Sequence, residues 1–79
     1  MFVYILETLS DDPKHFYVGL TQDHSERLKQ HNFGQVSHTS KYKPWKIKNY
    51  FWFEDEKKAI AFEKYLKSGS GRAFSKMHF

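Results

Sequence analysis

Glu63 is the side chain whose position most demands an explanation. It lies in the run EKKAIAFEKYLK (Glu56 to Lys67), where Ala59, Phe62 and Leu66 share one face at helical spacing. Glu63 borders that stripe, and the other charges in the body of the run are Lys57, Lys58, Lys64 and Lys67. A carboxylate at the edge of a buried face is costly unless it is paired or bound to a metal. Two readings follow: an i,i+4 ion pair with Lys67, in the favourable order, or a metal ligand. A second set of chemistry-bearing residues sits in HSERLKQHN, where His24, Arg27 and His31 surround Leu28, the sole aliphatic residue of the run. Burying Leu28 would draw Arg27 and His31 inward; otherwise the run is a solvated face with one anchoring leucine. Tyr4 and Tyr17 stand in two apolar, β-rich runs, where tyrosine is ordinary packing material. Gly19, just after Tyr17, suggests a bulge or the close approach of another group. Zinc chemistry finds no support, because His24 and His31 are neither three nor four apart, no H-E-x-x-H occurs and cysteine is absent.

These residues need elements to hold them. FVYILET (Phe2 to Thr8) and HFYVGL (His15 to Leu20) read as two strands of a hairpin joined by the turn chemistry of LSDDPK. Asp23 caps a helix that runs to about Phe33, with Glu26 completing a capping-box pattern and Gly34 as the stop. Residues 35–44 form a loop. A third strand, WKIKNYFWFE (Trp45 to Glu54), alternates with Lys46, Lys48, Tyr50 and Trp52 on one face and Ile47, Asn49, Phe51 and Phe53 on the other. Asp55 caps a second helix that runs through about Ser68 and is closed by Gly69, and GRAFSKM forms a short terminal helix. The order β-β-α-β-α-α places the chain in the α+β class, a small three-stranded, antiparallel-containing sheet flanked by helices, with residues 1–79 expected as one domain.

With 79 residues and no cysteine, the core must be built from aromatic side chains, which make up 19% of the chain. No apolar run is long enough for a membrane span, and MFVYILETL has neither a basic leader region nor a cleavage site, so a cytoplasmic protein is expected. A net charge of +4 leans toward an anionic partner. SKYKPWKIK (Ser40 to Lys48) concentrates that charge, with Lys41, Lys43, Lys46 and Lys48 interleaved with Tyr42 and Trp45. Lysines meet backbone phosphates and aromatics offer stacking surfaces for bases; the other reading makes Trp45 a core residue and the lysines solvated. Arg72 and Lys76 would extend the patch.

The combination resembles the GIY-YIG nucleases. FVY (Phe2 to Tyr4) matches the first motif of that family and YVG (Tyr17 to Gly19) the second, with twelve residues between the tyrosines. Arg27 follows Tyr17 by ten residues, where the family carries its arginine; His31 stands one turn later, where some members have histidine. Glu63 takes the place of the metal-binding glutamate, and EKYLKSGSGRAF is similar to the tail of small stand-alone members. Phe2 replaces the first motif glycine, Leu20 follows YVG where the excision-repair member has a nearby lysine, and no asparagine follows Asn49, which leaves Ser68 or Ser70 for that place.

The resemblance implies one-metal phosphodiester hydrolysis. Tyr4 or Tyr17 would act as general base, its pKa lowered by nearby positive charge such as Arg27. Arg27 would clamp the phosphate, Glu63 would hold a single Mg²⁺ or Mn²⁺, and His31 would assist proton transfer or orient the phosphate. Gly19 would be structural at the site. Nucleic acid is the implied partner, DNA ahead of RNA, and a second protein that delivers the domain to its target is compatible with this. The alternative is a nucleic-acid-binding module of the same fold without catalysis.

Overall fold

A computed structural model of the chain describes residues 1–10 and 13–79, apart from the side chain of His24. Asp11 and Asp12 of the expected turn therefore lie outside the described residues. The elements are β1 (Phe2–Thr8), β2 (Phe16–Thr21), α1 (His24–Asn32), a 3-10 turn at Ser40–Tyr42, β3 (Trp45–Trp52), α2 (Glu56–Lys67) and α3 (Gly69–His78). β1 lies in the middle of a three-stranded sheet ordered β2-β1-β3, and both pairings are antiparallel. This is the α+β fold and the element order expected from the sequence.

β1 can occupy the centre because both its faces are apolar. Val3 and Ile5 face α2, where they pack with Ala59 and Leu66. Tyr4 and Leu6 face the other way and pack with Trp45, supported by Tyr17, Leu28 and Ile47. A strand covered on both sides reads as a continuous apolar run, which is the character of FVYIL.

The alternation expected along β3 holds only in part. Asn49 pairs with Ile5 while Ile47 pairs with Leu6, so Lys48 is an extra residue in the ladder. This bulge shifts the pleat by one residue. Ile47 therefore joins the core that contains Tyr4, while Phe51 and Phe53 join the core under α2.

Helix ends follow the sequence with two refinements. The Asp23 carboxylate accepts from the backbone N–H groups of Ser25 and Glu26 at 3.0 and 3.1 Å. Thr21, rather than the Glu26 side chain, completes the cap by accepting from the Asp23 N–H at 3.2 Å. Gly34 ends α1 with φ +75°, a conformation that favours glycine. Gly69 is the first residue of α3 instead of the stop of α2, because the Ser68 hydroxyl caps α3 by accepting from the Gly71 N–H at 3.1 Å. Gly71 is buried where a Cβ would collide with the Tyr65 carbonyl, which lets α3 turn back closely on α2.

Candidate active site

Tyr4 is the centre of a polar cluster enclosed between β1, β2 and α1. Its ring is 1% exposed, and its hydroxyl lies over Gly19, its partner across the β1–β2 ladder. A Cβ at Gly19 would stand 2.6 Å from the Tyr4 Cζ, so glycine is required by close approach, the second of the two roles read from its place in the strand.

Two side chains from α1 meet that hydroxyl. Arg27 Nε donates to the Tyr4 oxygen at 3.3 Å, and His31 Nε2 is 2.9 Å from it. Leu28 explains how they arrive: packing against Tyr4, Leu6 and Trp45, it turns this face of α1 to the sheet. The alternative of a solvated face is excluded for His31, which is fully buried.

The network sets the histidine tautomer. Thr39 Oγ1 donates its single proton to the Val36 carbonyl at 3.2 Å and lies 2.7 Å from His31 Nδ1. The hydroxyl must therefore accept from Nδ1–H, which leaves Nε2 as the acceptor for the Tyr4 O–H. Burial, helped by the charge of Arg27, lowers the His31 pKa to about 4, so the ring is neutral at pH 7. Burial also pushes the Tyr4 phenol above its ordinary value, against the opposing pull of Arg27; Tyr17 and Glu63 push it the same way as burial. The lowering expected from Arg27 is thus outweighed at Tyr4. The guanidinium itself is shifted upward, chiefly by its bond to Tyr4.

Tyr17 and Glu63 complete the group. The Tyr17 ring centroid is 4.9 Å from that of His31 and 6.2 Å from that of Tyr4, and Tyr17 is only half-buried. Glu63 reaches in from α2, close enough for its charge to act on Tyr4. Its carboxylate forms the i,i+4 pair with Lys67 at 2.9 Å, and the Lys67 ammonium lies 5.9 Å from the Tyr17 ring centroid. The ion-pair reading of Glu63 is thus what the structure shows, with the carboxylate in electrostatic reach of Tyr4.

The donor set suits a hard cation completed by its substrate. No cluster of three or more acidic, histidine or cysteine side chains that could form a closed metal cage occurs among the described residues. A magnesium-type ion is commonly held by one or two carboxylates with water and phosphate oxygens filling the remaining positions. Glu63 fits that role once Lys67 gives way.

The lysine-rich run does not form one surface. Trp45 is 3% exposed, donates from its indole to the Thr39 carbonyl at 2.9 Å and belongs to the core, so it has no face free for a base. Lys46 pairs with Glu7 at 3.2 Å. Lys48 lies over the Phe16 ring at 4.9 Å, Lys41 and Lys43 are exposed on the loop before β3, and Arg72 is exposed on α3. Sequence reasoning missed Thr39 and Gln30. Gln30 accepts from Arg27 Nη1 at 2.7 Å, and its place one helical turn after Arg27 was a signal for it. Thr39 comes from an irregular loop and had none.

A family model described as the GIY-YIG catalytic domain matches residues 1–77. No curated protein and no solved structure matches the chain. The GIY-YIG family is one of nucleases, hydrolases acting on nucleic acid. Because the match spans all but the last two of its 79 residues, the chain belongs to the GIY-YIG family.

Proposed function

We propose that the chain is a divalent-metal-dependent endonuclease that hydrolyses phosphodiester bonds, in DNA ahead of RNA. The observation that carries this reading is the fixing of Arg27, by Tyr4 and Gln30, beside a half-exposed Tyr17 with Glu63 in electrostatic reach. Tyr4 and Gln30 engage Nε and one Nη1 proton, leaving further guanidinium donors to clamp a phosphate and stabilise the charge it gains in the transition state.

The environments of the two tyrosines divide their roles. Tyr4 is enclosed and its proton is committed to His31, so it positions Arg27 and His31. Tyr17 faces the open side and is the general base. Its oxygen takes a proton from the attacking water as its own proton passes to solvent. The water oxygen bonds to phosphorus, and the bond from phosphorus to the leaving oxygen breaks, that oxygen taking a proton from solvent. A Mg²⁺ or Mn²⁺ ion held by Glu63 would polarise the phosphate and stabilise the leaving oxygen. His31, neutral and with its Nε2 lone pair toward Tyr4, accepts the Tyr4 hydrogen bond and so fixes the phenol oxygen that anchors Arg27.

One observation favours a second reading, a nucleic-acid-binding module without catalysis: Glu63 already has a partner in Lys67. A cleavage assay with titrated Mg²⁺ and Mn²⁺, on the parent and on Glu63→Gln, separates the two. The enzyme reading expects metal-dependent cleavage that falls by at least about a hundredfold in the variant, the loss typical of a main electrostatic stabiliser. Binding without cleavage at any metal concentration would establish the module instead.

A further inference from the structure

A groove of about 830 Å³ runs between the sheet and the C-terminal halves of α2 and α3. Its walls carry Lys14, Lys48, Lys67, Arg72 and Lys76, and no Asp or Glu among the described residues lines it. Ile5, Val18 and Leu66 form an apolar floor. Lys14 reaches Glu7 at 3.8 Å and Lys67 is paired with Glu63, whereas Lys48, Arg72 and Lys76 have no carboxylate partner among the described residues. Cations gathered along an apolar trough from β3, α2, α3 and the approach to β2 repel one another. That repulsion is relieved by a polyanion.

Two further features narrow the polyanion. Phe16 lines the groove with its ring 54% exposed and Lys48 over one face. An aromatic ring in a cationic groove is the combination with which proteins hold unpaired strands, whose bases offer free faces to stack. Bases inside a duplex are stacked on one another and offer none to the side. The groove lies on the α2 face of the sheet, opposite the Tyr4 cluster. It meets the candidate active site around the β2 edge, where Tyr17 and Lys67 line it and Lys67 holds Glu63.

We propose that this groove holds a single nucleic-acid strand leading away from the cleavage point, so that the substrate is unpaired on that side. The proposal rests on the nuclease reading of the Tyr17 site for the word substrate, and on the groove alone for the strand. Phosphates meet Lys48, Arg72 and Lys76, one base stacks on Phe16, and the scissile phosphate lies at Arg27. Lys67 acts at the junction: a phosphate in the groove draws its ammonium from Glu63, freeing the carboxylate for a metal ion as the strand arrives.

The test is fluorescence anisotropy in EDTA, where no cleavage intervenes, with labelled oligothymidine, oligouridine and a blunt hairpin duplex of equal phosphate count. The parent should bind both single strands more tightly than the hairpin. Arg72→Glu combined with Lys76→Glu should weaken single-strand binding by roughly tenfold or more, and Phe16→Ala by about tenfold. The same charge change at Lys57 and Lys58, exposed on the first turn of α2, should have a much smaller effect. Circular dichroism of each variant confirms the fold. A preference for one sugar identifies the strand and supports the groove equally. Equal losses for the groove pair and the α2 pair, or equal weakening on hairpin and single strand, would overturn the proposal. Cleavage scored separately keeps the two readings apart. A parent that never cleaves but shows groove-dependent binding retains the groove and loses the enzyme. A parent that cleaves while the groove variants bind single strands unchanged retains the enzyme and loses the groove.

Discussion

His31 is a buried imidazole held neutral by its surroundings, with Tyr4 from β1, Tyr17 from β2, Arg27 from its own helix and Thr39 from the following loop around it. Its pKa of about 4 in the folded chain lies below the ordinary 6.5. The unfolded chain therefore binds a proton near pH 6.5 that the folded chain refuses until about pH 4. Stability is complete above that window and is lost as pH falls through it, by up to about 3 kcal/mol. Thermal unfolding from pH 7.5 down to about pH 4 should show this loss. His31→Gln, less stable at neutral pH, should show a flatter profile than the parent. Gly19 makes a second prediction at this scale. A methyl group there displaces the Tyr4 ring, so Gly19→Ala should cost about 1–3 kcal/mol as an overpacked site. On the nuclease reading it should also lower cleavage, because displacing Tyr4 removes the anchor of Arg27.

The elements were more legible than the links between them. Both strands of the hairpin, the Asp23 and Asp55 caps and the Gly34 stop declare themselves through local chemistry, since each depends on residues within one turn or one strand pair. Arg27, His31 and Glu63 could be placed on faces of helices by the 3.6-residue period. Thr39 could not, because what orients it is a loop with no repeating geometry. Its own carbonyl accepts from the Trp45 indole, and Asn32 at the end of α1 bonds both the N–H and the carbonyl of Trp45. Trp45 is therefore the peg that holds the loop to the sheet, although its setting among lysines resembled a binding surface. Thr39→Val tests this linkage. With its acceptor gone, Nδ1–H is left buried and unpaired, at a cost of about 1–3 kcal/mol. The nitrogen chemical shifts of His31 should reveal whether the proton moves to Nε2, where it would face the Tyr4 oxygen. Thr39→Ser, keeping the hydroxyl, should restore most of the stability and the parent tautomer.

For the whole molecule, affinity for nucleic acid should be dominated by counterion release. Lys48, Arg72 and Lys76 contacting three phosphates imply a slope of log affinity against log salt of about −2 on single strands. A titration across salt concentrations measures it, and the same cations predict little discrimination between sequences, since phosphate contacts position without specifying. The Lys48 bulge also bears on how this chain tolerates changes of length. Because Ile47 and Asn49 oppose the consecutive residues Leu6 and Ile5, removing Lys48 would join two already correctly paired segments into an uninterrupted ladder. Deletion inside a central pairing ordinarily turns every following side chain to the wrong face, but here it would leave each one where it is. A chain lacking Lys48 should therefore unfold cooperatively, with a melting temperature near that of the parent, and bind single strands less well.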